Sequence, residues 1–281
     1  KPKVIWGTDM NPEQVTWRGG YEIPIFLAAP FTGALKEAAA DIADLTGNGK
    51  PDVLAVVHKI KQNTGYLEYT IGRDLDADGT VRGWTPPRLW DWTYAANSEY
   101  SGSSVSGVRL YDVNGDNHLD VVVMGNTPGN THKLWYRVGY SINAQGEPTS
   151  WGPIIETPQI TVSGSLSEYL KGGGLAIGDI DKNGKPDVAL MELVKNSSGT
   201  DGQYSYRIGW NMDHATGAVE AWSNEVKLSS AILDGHTGGG DVILDDLNGN
   251  GQLDLLVMAI DRAGSYSYRV GWDLAEDGTV N

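Results

Sequence analysis

The sequence predicts an all-β protein built from four similar units, and three observations support this prediction. First, one nine-residue pattern rich in aspartate, asparagine and glycine occurs four times, at 44–52, 112–120, 179–187 and 246–254. Second, the first aspartates of these copies follow one another at intervals of 68, 67 and 67 residues, a regularity typical of repeat architectures. Third, an apolar run such as 53–57 begins directly after each copy, whereas helix-favouring patterns are weak throughout.

Each unit begins with a short strand that ends at the nine-residue pattern. In the first unit we assign residues 37–43 to this strand despite their alanine run, because the corresponding segments of the other units are poor helix formers. The residue six positions before the first aspartate is always small, which predicts a close approach of neighbouring backbones. These small residues are Ala38, Ser106, Gly173 and Gly240.

A variable loop follows the apolar second strand and leads into a third strand, where a tyrosine precedes a glycine by three residues in every unit. A polar turn then leads to a fourth strand that is expected to end at Trp84, Trp151 or Trp222. Four antiparallel strands per repeated unit are typical of one β-propeller blade. Because a ring of blades leaves few exposed strand edges, the sequence predicts a single propeller domain over residues 1–281.

The two ends of the chain bear on the number of blades. The last unit stops in the turn before its fourth strand, while residues 4–17 resemble a hairpin of a third and a fourth strand. Trp6 and Trp17 are 11 residues apart, as are Tyr140 and Trp151. We therefore expect four four-stranded blades in a ring closed by the N-terminal strand. A ring of five blades, or a fragment of a larger propeller, is the alternative.

Composition limits the classes of partner. The chain has 21 Lys and Arg against 36 Asp and Glu, which gives a net charge of −15. This charge argues against binding to nucleic acid or to anionic membrane surfaces, and no apolar run of 18 residues predicts membrane insertion. The absence of cysteine excludes disulfides and thiolate metal sites.

The nine-residue pattern suggests metal binding, because every copy has oxygen-bearing side chains at positions 1, 3, 5 and 9. Together with the backbone carbonyl of position 7, such ligands suit a hard cation. Their mixture of carboxylate, amide and hydroxyl oxygens favours calcium over magnesium, zinc or copper. A single copy is equally well interpreted as a hairpin turn. Four copies in register predict about four calcium ions, held by Asp44, Thr46, Asn48, Lys50 and Asp52; Asp112, Asn114, Asp116, His118 and Asp120; Asp179, Asp181, Asn183, Lys185 and Asp187; and Asp246, Asn248, Asn250, Gln252 and Asp254.

The copies differ in charge, and this difference predicts a ranking of the sites. The copies at 112–120 and 179–187 have three carboxylates each, whereas the other two have two, so the former are expected to bind calcium more tightly. A further acidic stretch at 74–79 resembles the start of another such loop. Since Arg82 occupies the place of the last carboxylate, we interpret this stretch as a solvated hairpin turn.

These loops resemble those of the FG-GAP/VCBS repeat proteins, whose integrin-like propellers hold calcium between the first two strands of a blade. The resemblance covers all four units, although the units here are longer and fewer than is usual for the family. The resemblance implies a calcium-stabilised module that is secreted or extracellular, for example at the cell surface. It says little about function, because members of the family include adhesion receptors, propeller lectins and modules of polysaccharide-degrading enzymes.

No catalytic residue can be assigned from the sequence, which lacks His-Glu-x-x-His and Gly-x-Ser-x-Gly patterns, although its many acids leave a carboxylate pair open. Trp90, Trp92 and Tyr94 fall in a segment without repeat counterparts, where they are candidates for stacking on sugars or for core packing. The predicted function is a binding module, lectin-like or adhesive, for an extracellular glycan or protein. The alternatives are a catalytic or accessory domain of a secreted polysaccharide-degrading enzyme and a purely structural domain. Ligand binding is expected in 85–102, 125–132 and 192–203.

Overall fold

A computed structural model of the chain describes residues 34–61, 64–93, 104–126, 133–159, 169–195, 202–228, 240–260 and 266–280. Within these ranges the protein is all-β, with 17 strands in four antiparallel sheets and no helix. The four sheets are the blades of a four-bladed β-propeller, which confirms the predicted fold class. Residues 1–33, which include the predicted ring-closing strand, lie outside the described ranges.

Blades 1 and 2 occupy the N-terminal half of the described chain. Blade 1 consists of β1 (Ala34–Ala43), β2 (Asp52–Lys61), β3 (Thr64–Leu75), β4 (Val81–Trp84) and β5 (Arg88–Thr93), and both β4 and β5 pair with β3. Blade 2 consists of β6 (Ser104–Tyr111), β7 (Asp120–Asn126), β8 (Leu134–Tyr140) and β9 (Ser150–Glu156).

Blades 3 and 4 repeat this arrangement. Blade 3 consists of β10 (Tyr169–Gly178), β11 (Asp187–Lys195), β12 (Gly202–Met212), β13 (Val219–Trp222) and β14 (Val226–Lys227). In blade 4 the structure describes three strands, β15 (Gly240–Asp245), β16 (Asp254–Ile260) and β17 (Tyr266–Gly271).

The alanine-rich segment of the first unit is a strand, as predicted. β1 pairs antiparallel with β2 along its length, with Ala40 opposite Ala55 and Ile42 opposite Val53. Pairing with an apolar strand therefore outweighs the helix propensity of the alanines, which is only a weak preference.

The fourth strand is longer than predicted. In blade 1 the outer strand does not end at Trp84 but resumes as β5, in which Arg88 pairs with Tyr69 of β3. In blade 2 the outer strand is continuous from Ser150 to Glu156, so Trp151 lies near its start. Residues 88–93 were predicted to lie outside the repeat, and this was wrong, because they extend the outer edge of the blade.

The inner strands of the blades lie side by side in the order β1, β6, β10 and β15. The small residues predicted at this place do allow a close approach, although the closest contacts between blades fall one position later. A Cβ atom on Gly107 would lie 2.9 Å from Leu175, and one on Gly174 would lie 2.3 Å from the backbone nitrogen of Val242. Arg109 of β6 reaches across to Asp241 of β15 at 2.7 Å, which ties blade 2 to blade 4.

The hydrophobic core lies between successive blades. Tyr69 and Ile71 of blade 1 pack against Val121 and Trp135 of blade 2, and all four side chains are at most 1% exposed. Equivalent clusters join blade 2 to blade 3 and blade 3 to blade 4. The loops between the first and second strands join this core through the apolar residue at their second position, as Leu45, Val113 and Ile180 show.

Candidate metal centre

The four nine-residue loops lie at corresponding places, each between the first and second strand of its blade. Loop 1 (44–52) joins β1 to β2, loop 2 (112–120) joins β6 to β7, loop 3 (179–187) joins β10 to β11, and loop 4 (246–254) joins β15 to β16. Their backbone hydrogen bonds are nearly identical, so one description by loop position serves all four.

The carboxylate at position 9 is buried in every loop, with an exposed fraction of 0% for Asp52, Asp120, Asp187 and Asp254. In loop 3 one oxygen of Asp187 accepts the backbone N–H of Ile180 at 2.8 Å, and the other accepts that of Asn211, also at 2.8 Å. The same pair of bonds forms in loops 1, 2 and 4. Position 9 therefore joins its loop to the end of the third strand, in addition to any contact with a metal.

Burial of these carboxylates has an electrostatic consequence. Removal from water raises the pKa of Asp187 and of Asp120, while the N–H groups that they accept act in the opposite direction. A cation beside these groups would favour their ionised form, because an opposite charge nearby stabilises a carboxylate.

The aspartate at position 1 shapes the loop by accepting the backbone N–H groups of positions 5 and 6. In loop 1 the N–H of Asn48 lies 3.1 Å from Asp44 and that of Gly49 lies 2.7 Å away. The bond from Gly49 is the main reason that the pKa of Asp44 is lowered. Asp112, Asp179 and Asp246 make the same two contacts.

Positions 4 and 6 both adopt left-handed backbone conformations, which turn the chain around the loop. At position 6, φ is 80° for Gly49, 63° for Asn117, 87° for Gly184 and 84° for Gly251. At position 4, loops 1, 2 and 4 have glycine, whereas loop 3 has Lys182 at φ 59°. Glycine is common at both positions because it adopts this backbone region without steric cost.

The position-5 side chain is held on two sides. Its oxygen accepts the backbone N–H of position 7 at 2.8 Å in each loop. The position-7 residues, whose carbonyls are predicted metal ligands, therefore also stabilise the turn through their N–H groups. These residues are Lys50, His118, Lys185 and Gln252. The other end of the position-5 side chain bonds to a left-handed residue at the end of the third strand or within two residues after it, which we call the latch residue. The latch residues of loops 1 to 4 are Asp74, Ser141, Asn211 and Asp273.

The chemistry of each latch matches its partner. Where position 5 is asparagine, its amide donates to the acceptor Asp74, Asn211 or Asp273. Where position 5 is Asp116, which only accepts, the latch residue is Ser141, whose hydroxyl donates at 3.1 Å. Residues 74–79 form the predicted hairpin turn, in which the Gly79 N–H donates to the Asp76 carbonyl, but the role of Asp74 as a latch residue was not predicted.

Loop 3 brings its carboxylates closest together. Oxygen atoms of Asp179, Asp181 and Asp187 lie within 4.8 Å of one another, the only such group of three among the described residues. Loop 2 has as many carboxylates, but both Asn114 and Ser141 donate to the same oxygen of Asp116. The all-oxygen donor set of loop 3, completed by the Asn183 amide, fits a hard cation such as calcium.

A groove of about 590 Å³ borders loop 3. Its lining is partly apolar, with Met212, Ala218 and Val219, and it includes the polar residues Lys185, Asn211, Asp213, His214 and Glu220. The Asn211 amide donates to Glu220 at 3.1 Å, so the latch residue of loop 3 is also part of the wall of this groove.

The predicted sugar-stacking residues have different outcomes. Trp90 is only 3% exposed, its ring stacks on Tyr69 at 4.9 Å, and its indole N–H donates to the Gly146 carbonyl at 2.7 Å. It therefore fills the core between blades 1 and 2, which is the core-packing alternative of its prediction. The Trp92 side chain and Tyr94 lie outside the described residues. Residues 94–102, 127–132 and 196–201 of the predicted ligand-binding segments 85–102, 125–132 and 192–203 also lie outside them.

Within the described ranges, no helix is long and apolar enough to cross a membrane. Comparisons with protein-family models, with curated proteins and with solved structures found no match to this chain.

Proposed function

We propose that this protein is a calcium-stabilised binding module in which each blade holds one calcium ion in its loop, about four in total. The observation that carries this proposal is the group formed by Asp179, Asp181 and Asp187, together with the recurrence of its loop geometry in all four blades. These oxygen side chains also hydrogen-bond within their loops, and their recurrence at the same four positions in every copy is in addition the ligand pattern that suits a hard cation.

The role of calcium follows from the contacts of the loop residues. Side chains at positions 1, 3 and 5 and the buried carboxylate at position 9 would hold the ion, and the latch residue would orient position 5. The ion supplies positive charge that offsets the repulsion among the carboxylates. Because position 9 also bonds to the end of the third strand, metal binding stabilises the blade as a whole.

The loops differ in expected affinity. Loop 3 has three converging carboxylates and binds calcium most tightly in this proposal, followed by loop 2 and then by loops 1 and 4. Calcium sites of low ligand charge tend to need the high calcium concentrations found outside cells. The two-carboxylate loops therefore support a secreted or extracellular location, and the net charge of −15 is compatible with a cation-rich environment.

We further propose that the module binds an extracellular glycan or protein. The groove beside loop 3 supports this role, because amide, carboxylate and ammonium groups on one open surface are suited to hydrogen bonding with sugar hydroxyls. The module is then a lectin-like or adhesive domain. A catalytic or accessory domain of a polysaccharide-degrading enzyme and a purely structural domain are the alternatives that the experiment below separates.

Glycan-array binding, measured with calcium and again with a chelator, tests the binding role. Binding without turnover supports the proposal, cleavage of a bound glycan indicates the enzymatic alternative, and no binding to glycans or to extracellular proteins indicates a structural domain. A variant with Asp213→Ala and Glu220→Ala alters the groove without changing any loop carboxylate. It should lose ligand and retain the calcium-dependent increase in melting temperature.

A further inference from the structure

Loop 1 has a positive charge beside its buried carboxylate. Arg73 directly precedes the latch residue Asp74, and its Nη1 atom lies 3.5 Å from the Oδ2 atom of Asp52 at position 9. Asp52 is fully buried and the Arg73 side chain is only 22% exposed, so salt and water screen this pair weakly. Because arginine is not deprotonated in proteins, the charge is permanent.

The guanidinium of Arg73 is also held by the next blade. Its Nη2 atom donates a hydrogen bond to the carbonyl oxygen of Ala144, which belongs to the hairpin after the third strand of blade 2. One terminal nitrogen thus contacts loop 1 and the other contacts blade 2. The position of the guanidinium therefore does not depend on the loop alone.

The other three blades have an uncharged aromatic residue at this place, directly before the latch residue. These residues are Tyr140, Trp210 and Trp272. Among the described residues, Asp52 is the only position-9 carboxylate that pairs with a cationic side chain. The position-9 carboxylates of loops 2 to 4 accept hydrogen bonds from uncharged N–H groups instead.

Loop 4 is the matched comparison within the chain. Loops 1 and 4 both have two carboxylates among their nine residues, asparagine at position 5 and aspartate as the latch residue. The latch N–H donates to position 9 in both loops, from Asp74 to Asp52 at 2.9 Å and from Asp273 to Asp254 at 2.8 Å. The number of charged ligands alone predicts equal calcium affinity for the two loops, and Arg73 distinguishes them.

A second arginine gives the surroundings of loop 1 the same sign. Arg82 of β4 lies 3.4 Å from the latch residue Asp74, whereas the corresponding Glu220 of β13 accepts a hydrogen bond from the latch residue Asn211. The Arg82 side chain is 81% exposed, so its ion pair adds little stability. It nevertheless adds positive charge near loop 1 where loop 3 has negative charge.

We propose that the Arg73 guanidinium is the counter-ion of loop 1, which keeps this loop folded without metal and makes it the last of the four loops to take up calcium. The first part follows from burial, because a buried carboxylate is costly to keep ionised unless an opposite charge compensates it. The second part follows from Coulomb repulsion between the guanidinium and an ion held by Asp52. Only the second part rests on the proposed calcium function.

Hydrogen exchange of two latch amides, measured by NMR, tests the proposal in the wild-type chain. The N–H groups of Asp74 and Asp273 report on position 9 of loops 1 and 4, because each donates to that carboxylate. With a chelator, the Asp74 amide should exchange as slowly as in calcium, whereas the Asp273 amide should exchange severalfold faster. If both amides are protected by calcium to the same degree, the proposal is overturned. If no loop responds to calcium, the calcium function and the order of filling both fail, and the variants below decide the counter-ion role.

Arg73→Met and Arg73→Lys separate the charge of this side chain from its packing. In a chelator, Arg73→Met should make the Asp74 amide exchange severalfold faster, while Arg73→Lys, which retains the charge, should leave it close to the wild type. In calcium titrations by calorimetry, the weakest site of the chain should bind on the order of tenfold more tightly in Arg73→Met, because a repelling charge is removed. Unchanged exchange in Arg73→Met, or an equal loss of protection in Arg73→Lys, would show that Arg73 is not a counter-ion. An unchanged weakest site would overturn the order of filling.

Discussion

The Ser141 hydroxyl donates a hydrogen bond to the Asp116 carboxylate at 3.1 Å, where the other three blades use an asparagine amide and an acceptor. This exchange of donor and acceptor within one chain indicates that the latch serves a common purpose, which is to orient the position-5 ligand of each loop. In blades 2, 3 and 4 it also joins the loop to the hairpin that accepts a hydrogen bond from a tyrosine of the preceding blade.

The latch in loop 2 is therefore expected to tolerate only a complementary pair. Ser141→Asp places a second carboxylate beside Asp116, and we expect calcium affinity of this loop to fall on the order of tenfold, as is common for outer-shell partners of metal ligands. Adding Asp116→Asn recreates the pair found in loops 1 and 4 and should recover much of the loss. Calorimetric titration of the two single variants and the double variant measures this coupling. Additive losses in the double variant would show that the two residues act independently.

Lys182 should carry backbone strain that its counterparts avoid. It adopts φ 59° at position 4, where loops 1, 2 and 4 have glycine. Lys182→Gly relieves the steric cost of the left-handed conformation but adds chain entropy to the unfolded state, so the expected net stabilisation is about 0.5–1 kcal/mol. Urea unfolding of the variant measures this difference. Gly115→Ala, the reverse change in loop 2, is expected to destabilise, and a stabilising effect there would contradict the explanation.

Glu192 should make stability depend on pH. It is 2% exposed, accepts a hydrogen bond from Ser205 at 2.7 Å, and burial raises its pKa from 4.5 to about 8. The folded state therefore keeps a proton that the unfolded state releases, so this group lowers stability as pH rises from about 4.5 to about 8. Glu192→Gln should remove that slope and stabilise the protein at pH 9 by ~2–4 kcal/mol.

The control for this prediction is Glu156→Gln, because Glu156 is partly exposed and pairs with Lys133 at 2.7 Å. The dependence of its unfolding free energy on pH should be nearly the same as in the wild type. Chemical unfolding at a series of pH values provides the comparison. An unchanged slope in the Glu192 variant would mean that this carboxyl ionises in the folded protein near its ordinary pKa.

Carboxylate number should set the affinity of individual loops. Asp181→Asn gives loop 3 the position-3 residue of loops 2 and 4, and should weaken its calcium binding on the order of tenfold. Asn248→Asp gives loop 4 a third carboxylate and should strengthen its binding by a similar factor. Titration calorimetry of both variants tests the exchange. Position 9 is unsuitable for this test, because its carboxylate also bonds to the backbone of two segments.

Much of the fold was predictable because it repeats along the sequence. The interval between loops, the apolar second strands and the tyrosine-glycine spacing each recur, so β1 was assigned to a strand against its alanine content. The continuation of the outer strand into β5 was not predicted, because Pro86 and Pro87 interrupt the pattern before Arg88. As a result the sequence left Trp90 open between sugar stacking and core packing, and the structure places it in the core.

For the candidate site, the sequence predicted the ligand positions but not the latch residues that orient them. Oxygen side chains within nine residues form a local pattern that sequence alone reveals. The latch residues lie 23–28 residues away from their partners, and their pairing depends on how the third strand folds back beside the loop. The sequence contains Asp116 with Ser141 in one unit and Asn250 with Asp273 in another. That these residues form matched donor and acceptor pairs could be recognised only once the structure showed that they are in contact.

The number of calcium ions bound per chain tests the central claim most directly. Bound metal is removed from the protein with a chelator, calcium is added at increasing concentration, and the mass of the chain with its bound ions is measured by native mass spectrometry. The proposal predicts four ions per chain at saturation, with the first bound in loop 3 and lost when Asp181→Asn is combined with Asp179→Asn. A chain that holds fewer than four calcium ions at the highest calcium concentration, or whose first ion is unaffected by those two substitutions, would contradict it.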